Sequence, residues 1–392
     1  MELYLVTGAR FHKGSDGKIY AGEMSYNNML YERYLKKFDK VYIIGRLFDG
    51  ADNIPKEHII TNAEVLPLPT FNGVVTFLKK KKLIRTSLEQ YLKTDGIILT
   101  KGAGELARMT SEICKKNNIP YAVEVIGDPY DLFAPGVIKH PLRFFFRYLF
   151  TQIQKKVVYN ASSVLYVTKS TLQKRYPANK NAFTTYASDV FINQAQDVGP
   201  KTLSHKKSYT LISIGALEQL YKAPDICIRV IAEMKKREIN LELKWLGVGK
   251  YMEEMKSLSK ELGVDSQVDF VGSVSRKEVD EYLDKSDVFL LLSRTEGLPR
   301  AMVEAMARAL PCIGTNVGGI PELLDKEFLV PVNSVEAVCE KLRLLLENLD
   351  IYHKQSSLNL QTSKEYTPEV LDKKRNEFYE FIKRMKKHQS FS

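Results

Sequence analysis

The chain has 392 residues, a formal net charge of +11, 44% hydrophobic and 27% charged residues. This is the profile of a soluble globular protein, too long for one ordinary core and suited to two domains. No run approaches the ~18 apolar residues of a membrane-spanning helix. The N-terminal "MELYLVTGAR" shows no signal-peptide pattern.

Strands are expected at "LYLVTG" (3–8), "KVYIIGR" (40–46), "GIILTKG" (96–102), "YAVEVIG" (121–127) and "SSVLYVT" (162–168). Helix-like stretches lie between them, at 24–37, 103–117 and 141–160. The strand runs are β-rich and mostly not alternating, as in parallel strands covered on both faces. Regular β-α alternation implies a doubly wound sheet.

A basic balance fits nucleic acid, anionic lipid or acidic small molecules as partners, and its distribution narrows the choice. Lys79–Lys82 follow an apolar stretch in "VVTFLKKKKLIR". Residues 140–160, "HPLRFFFRYLFTQIQKKVVYN", mix Arg143, Arg147, Lys155 and Lys156 with Phe144, Phe145, Phe146, Tyr148 and Phe150. A basic helix with exposed aromatics lies on an anionic bilayer surface. The competing reading of 140–160 is a core helix with solvated charges. Cys114, Cys227, Cys312 and Cys339 are scattered, with no CxxC or Cys/His cluster. That argues against a structural zinc site and for a reduced, cytosolic setting.

Residues 194–208, "QAQDVGPKTLSHKKS", are polar, contain Gly199 and Pro200, and read as an interdomain linker. The pattern then restarts, with strands at 209–215, 241–247, 268–272, 288–293, 311–315 and 327–331. Two Rossmann-like α/β domains therefore follow in series, residues 1–200 and 201–366. A final helix within 367–392 has Pro368 near its first turn. No strand follows it, and the N-terminal domain is one surface for it to pack on. In such sheets ligands sit at the C-terminal ends of strands, so the cleft between the domains is the default site.

Residues 288–310 carry the densest chemical signal. "VFLLLS" is a buried strand, "RTEGL" a turn, and Pro299 opens a helix, "PRAMVEAMARAL", that is apolar nearly all round. Its first amides face the cleft and suit phosphate or hydroxyl oxygens, and Gly297 lets backbone approach a ligand closely. Glu304 is an acid on this helix, and burying it unpaired is costly. Two partners are open: Arg308 at i+4, or the vicinal hydroxyls of a ribose, which suit an acceptor-only carboxylate.

"EGLPRAMVEAMARALPCIGTNVGGIPELL" (296–324) resembles the signature of glycosyltransferase family 4, including its E-x7-E motif. The resemblance implies a GT-B fold and transfer from a nucleotide sugar with retention of anomeric configuration. It implies that Glu304 binds the donor ribose and that Glu296, Gly297 and Leu298 contact the donor sugar and phosphates. In "SIGALEQLYKAPD" (213–225), Gly215 and Lys222 match a glycine and a diphosphate-gripping lysine of that family. Ala216 replaces the family's usual arginine, and Arg294 or Arg300 is the candidate to compensate. A solvated lysine at a helix start is the plain alternative for Lys222. "WLGVGKYMEEM" offers a turn, Gly247 and Gly249, that opens a helix and makes Gly249 a donor-side candidate, and "FVGSVSRKEV" resembles the family segment whose backbone meets the nucleobase, around Val274.

The family often has a histidine near the donor sugar after strand 121–127. Here the sequence is "EVIGDPYDLF", and Asp128 is the candidate, against a turn aspartate before Pro129. Arg10 and Asp16, in "TGARFHKGSDGKIYAG", are acceptor-side candidates. No Ser/His/Asp or Cys/His set stands out, nor an Asp-x-Asp metal pair. The resemblance accordingly implies metal-independent, front-face attack, in which positioning and charge stabilisation do the catalysis. The expected partners are a nucleotide-sugar donor, UDP-linked by preference, and a saccharide or lipid-linked saccharide acceptor in cell-surface polysaccharide synthesis, with no nucleic acid. The place of action is the cytoplasm or the inner face of the membrane. A sugar-nucleotide epimerase of the same architecture and a non-catalytic sugar-nucleotide-binding subunit are the alternatives.

Overall fold

The computed structural model describes residues 1–392 apart from 52–53, 94, 103, 135–136, 138–139, 193–197 and 390–392. The first nine strands, forming one sheet, are β1 (Glu2–Lys13), β2 (Ile19–Ala21), β3 (Lys40–Asp49), β4 (Ile59–Ile60), β5 (Glu64–Leu68), β6 (Ile97–Lys101), β7 (Tyr121–Val125), β8 (Ser163–Tyr166) and β9 (Phe183–Tyr186). Seven of them run parallel in the order β5-β3-β1-β6-β7-β8-β9, and β2 and β4 add an antiparallel flap on β1. The second sheet is wholly parallel, in the order β12-β11-β10-β13-β14-β15. Its strands are β10 (Tyr209–Ile214), β11 (Leu241–Leu246), β12 (Val268–Gly272), β13 (Val288–Leu291), β14 (Cys312–Thr315) and β15 (Leu329–Val330).

Buried strands make both sheets: every residue of β6, β7, β8, β13 and β14 is buried. This is the double helical covering that non-alternating apolar runs imply. Four strands went unread in the sequence. β2 and β4 are short pieces of three and two residues, β5 is interrupted by Pro67, and β9 is "FTTY", half threonine. Of the expected linker, residues 194–197 lie outside the described residues, and 198–208 form no helix or strand. All four cysteines are buried and unpaired. Among the described residues no helix is long and apolar enough to cross a membrane.

The last helix, Pro368–Gln389, packs on the N-terminal sheet. Tyr379 sets its ring edgewise on Tyr34 and on Phe38, 5.7 Å from each, and Phe381 stacks on Phe183 at 4.6 Å. Helix Arg143–Asn160 divides in two. Ile153, Gln154, Val157 and Val158 are buried, whereas Phe144, Phe145 and Tyr148 near its start are exposed. The aromatic stripe is thus not core in its first turns.

The Glu322 carboxylate ties the two halves of the chain together. Glu322, in the "GGIPE" turn, accepts hydrogen bonds from the backbone amides of Lys169 (2.6 Å), Ser170 (2.9 Å) and Thr171 (2.5 Å). These amides begin helix Thr171–Arg175 of the N-terminal half, so its N-terminus is capped by the other domain. Lys169 also pairs with Glu365. Replacing Glu322 with Ala strands those amides, and we expect a loss of about 1–3 kcal/mol in urea unfolding together with a larger radius of gyration by small-angle scattering. An unchanged radius would mean that Glu322 does not hold the domains together.

Candidate active site

In the second sheet β10 and β13 are neighbours, with the earlier strands on one side and the later ones on the other. This reversal of strand order opens a crevice at the strands' C-terminal ends. Two loops leave there. After β10, a one-turn 3-10 helix, Leu220–Lys222, ends on Ala223, whose φ is +52°. After β13, residues 292–299 lead to helix Arg300–Ala307. Lys222 Nζ lies 2.5 Å from Glu296 Oε1, and Ser293 Oγ donates to the same oxygen at 2.6 Å. The two charged side chains are 12% and 8% exposed, so each needs the other to offset its lost hydration.

Small residues make this convergence sterically feasible. A Cβ on Gly215 would sit 2.8 Å from Lys222 Cγ, so the glycine leaves the lysine its path. A Cβ on Gly249 would fall 2.1 Å from the carbonyl carbon of Leu217, which presses the loops after β10 and β11 together. Gly318, at φ +52°, lies against the Glu296 backbone, and the Gly319 amide donates to the Gly297 carbonyl at 2.7 Å. The "GGIPE" turn therefore braces the "EGL" turn from behind.

The cleft has a volume of about 660 Å³. Glu296, Gly297, Thr295 and Tyr221 line one wall, and Gly8, Lys101, Gly127 and Asp128 line the other. A Cβ on Gly297 would come 3.1 Å from the Ile126 carbonyl, so the domains nearly touch there. Leu298 is buried, and Pro299 is the extended residue before the helix rather than its first turn. No side chain caps this helix, which leaves its first amides available to a ligand's oxygens.

Glu304 is half-buried one turn into that helix, and its carboxyl pKa is raised. Burial is the main cause, while Arg276 and Arg300 pull the other way. The expected rivalry with Arg308 is settled against Arg308, whose guanidinium forks onto Asp284. The basic neighbour of Glu304 is instead Arg276, at 3.4 Å, which also donates to the Phe191 carbonyl. Arg276 lies two residues after Val274, itself partly buried, so Val274, Arg276 and Glu304 belong to one neighbourhood. Sequence reading passed over Arg276 because nothing local distinguishes it from a solvated helix-start arginine.

Several of the candidate residues are already held by partners within the protein or lie away from the cleft. Arg294 does not stand in for the arginine missing at Ala216. It grips Asp225 with both terminal nitrogens (3.1 and 2.7 Å), donates to the Leu220 carbonyl, and reaches Asn333 at 3.0 Å. Its backbone amide also holds the Tyr221 carbonyl at 2.7 Å. Arg294 thus pins the turn that carries Lys222. Arg300 is exposed. Asp128 lines the cleft, but its carboxylate is spent on Arg175, on the Tyr176 hydroxyl at 2.5 Å and on the Tyr130 amide at 2.9 Å. It is the turn-capping aspartate. Asp16 is held in its own hairpin by the Lys18 amide and the Tyr20 hydroxyl, both at 3.0 Å. Arg10 is exposed, and neither it nor Asp16 lines the cleft.

Lys101 was missed, although a lysine ending an apolar strand run is a legible oddity. It is buried at the cleft floor, 2.8 Å from Glu124 and 3.3 Å from Asp189. Burial opposes its charge, but Asp189 and Glu124 outweigh it and hold the ammonium pKa above its ordinary value. Asp189 also takes Arg33 at 2.6 Å. Among the described residues no group of three or more His, Cys, Asp or Glu is placed to hold a metal ion. Because Arg294 is bound in a fork, Arg294→Lys should not replace it. We expect Arg294→Ala to cost about 3 kcal/mol in urea unfolding and to raise amide hydrogen exchange at Leu220–Lys222. Unaltered exchange there would remove the pinning role.

Residues 196–359 match the family model described as Glycosyl transferases group 1. The chain is 29% identical to Protein CapJ of Staphylococcus aureus over 324 residues, covering 78% of this chain and 77% of CapJ. It is 31% identical over 141 residues to the putative colanic acid biosynthesis glycosyltransferase WcaL of Escherichia coli, 34% of each chain. HepE of Anabaena, solved in complex with UDP and glucose, shares the fold: TM-score 0.66 at 15% identity, over 96% of this chain and 98% of HepE. Residues 196–359 are a group 1 glycosyltransferase domain, and the chain that carries them is a glycosyltransferase with the two-domain GT-B fold.

Proposed function

We propose that this enzyme is a retaining glycosyltransferase that moves a hexosyl or N-acetylhexosaminyl group from a UDP-sugar to a saccharide or lipid-linked saccharide. The product would be a cell-surface polysaccharide, a capsule or exopolysaccharide, made at the cytoplasmic face of the membrane. The observation that carries this reading is the buried Lys222–Glu296 pair at the strand-order reversal, beside an uncapped helix start. WcaL, a relative over a third of the chain, is described as acting in colanic acid synthesis, and HepE was solved with UDP and glucose.

In this reading the donor diphosphate lies on Lys222 and the first amides of helix Arg300–Ala307. The bond between the anomeric carbon and the diphosphate oxygen breaks, and its electron pair leaves on the diphosphate. The acceptor hydroxyl oxygen bonds to the same face of that carbon and gives its proton to the departing phosphate oxygen. Lys222 and the amides stabilise the charge that develops there, so no metal is required. Glu296 orients the sugar, Gly297 and Leu298 offer backbone, and Gly249 and Val274 border the nucleoside. Glu304 accepts the ribose hydroxyls.

The Glu304 role has a pH signature. Its raised pKa means that it protonates earlier on acidification than an ordinary glutamate. Ionised Glu304 accepts two hydroxyls, and protonated Glu304 loses acceptor capacity. Donor affinity should therefore fall as pH is lowered through this raised value. In Glu304→Gln we expect the donor KM to rise about tenfold near neutrality and its acid dependence to flatten. Thermal-shift screening with UDP-, GDP- and ADP-sugars identifies the donor to use. A variant with wild-type KM and pH profile would remove Glu304 from the donor site, and donor binding without turnover on any acceptor would favour a non-catalytic subunit.

A further inference from the structure

A second cavity of about 630 Å³ lies beside the cleft, and its character is different. Helices Gly73–Tyr91 and Arg143–Asn160 contribute its sides, and the start of helix Glu105–Lys116 also lines it. The lining is largely hydrocarbon: Phe71, Phe77, Leu78, Phe145, Leu149 and Phe150. Phe71 sets its ring edgewise on Phe77 at 5.1 Å, which makes a firm apolar wall. This groove shares Gly8, Lys101 and Gly102 with the cleft, so the two are continuous.

Positive charge gathers where they meet. Arg46 lines the groove, and its guanidinium donates to the carbonyls of Phe71 (3.1 Å) and Gly8, both neutral acceptors. Arg10 on the neighbouring strand adds like charge close to it. Lys81, exposed, stands on the rim. Around the groove the same two helices expose Val75, Leu78, Phe144, Phe145 and Tyr148 to 57% or more, with Lys79–Lys82 among them. Apolar side chains exposed beside lysines match the interface of an anionic bilayer, not bulk water.

We propose that this groove holds the hydrocarbon chain of a lipid-phosphate-linked saccharide acceptor, with Arg46 and Lys81 facing the phosphate and the sugar end lying in the cleft. The proposal rests on the glycosyltransferase reading and narrows its acceptor to the lipid-linked class. A chain end drawn from the bilayer buries against aromatic walls, and a phosphate at the junction meets cations that no carboxylate neutralises at contact distance among the described residues. A free saccharide would leave the apolar groove unused.

The test titrates the full-length protein with geranylgeranyl phosphate, and in parallel with inorganic phosphate, geranylgeraniol and anionic phospholipid vesicles. Saturable binding of geranylgeranyl phosphate, tighter than that of either of its halves, is expected. Leu78→Glu and Phe145→Glu put a charge on exposed groove positions, and each should weaken it about tenfold. Both variants should keep the wild-type Tm and the wild-type thermal shift with UDP, which separates groove loss from misfolding. Wild-type affinity in both variants would overturn the proposal. So would inorganic phosphate binding as tightly as the prenyl phosphate, or vesicle binding lost with prenyl phosphate binding intact. If prenyl phosphate binds as expected while no nucleotide sugar shifts the Tm, the groove stands and the transferase reading fails instead.

Discussion

The ion pair between Lys222 and Glu296 sets the terms for the rest of the site. Neither residue would be stable alone where it lies, because each is almost out of water. Their contact forces two loops, 74 residues apart in sequence, to meet over the adjacent ends of β10 and β13. Three nearby glycines serve that convergence. Gly215 clears the lysine's path, and Gly318 and Gly319 let the "GGIPE" turn lie directly on the "EGL" turn. The pair offsets the lysine's charge and fixes its position, and in the proposed reading a donor diphosphate competes with Glu296 for it.

Charges elsewhere are sorted by what they have already met. Arg294, Asp128 and Arg308 each carry a satisfied partner and serve as scaffolding. Glu304 is different: burial raises its pKa, and Arg276 at 3.4 Å is a partly exposed, single-point neighbour. That leaves it acceptor capacity that a ribose diol suits. The contrast separates Glu304, which keeps acceptor capacity, from Arg294, Asp128 and Arg308, whose partners within the protein already occupy them.

What the sequence disclosed depended on how local each signal is. Both sheets were legible because uninterrupted apolar runs such as "GIILT" and "VFLLL" admit few alternatives, and β9 escaped because "FTTY" is not such a run. Glu296, Gly297 and Lys222 were legible from one dense motif and its companion loop, and the fold brings them together. The partners of Arg294 and Asp128, namely Asp225 and Arg175, were not legible because they lie 69 and 47 residues away, where no local pattern announces a pairing. Lys101 and Glu124 could have been found, since each is a charge within an apolar strand. The domains' relative placement, by contrast, depends on Glu322 capping a helix some 150 residues distant, together with the last helix packing on the first sheet. No sequence rule predicts that contact.

The proposed role on which the site most depends is that of Lys222 as the cation for the donor diphosphate. Calorimetric titration of UDP into the wild type, Lys222→Ala and Glu296→Gln measures this directly. Lys222→Ala should weaken UDP binding by at least about tenfold. Glu296→Gln, which frees the lysine and spares the diphosphate contact, should bind UDP at least as tightly as the wild type while losing sugar transfer. UDP binding to Lys222→Ala with wild-type affinity would contradict the account.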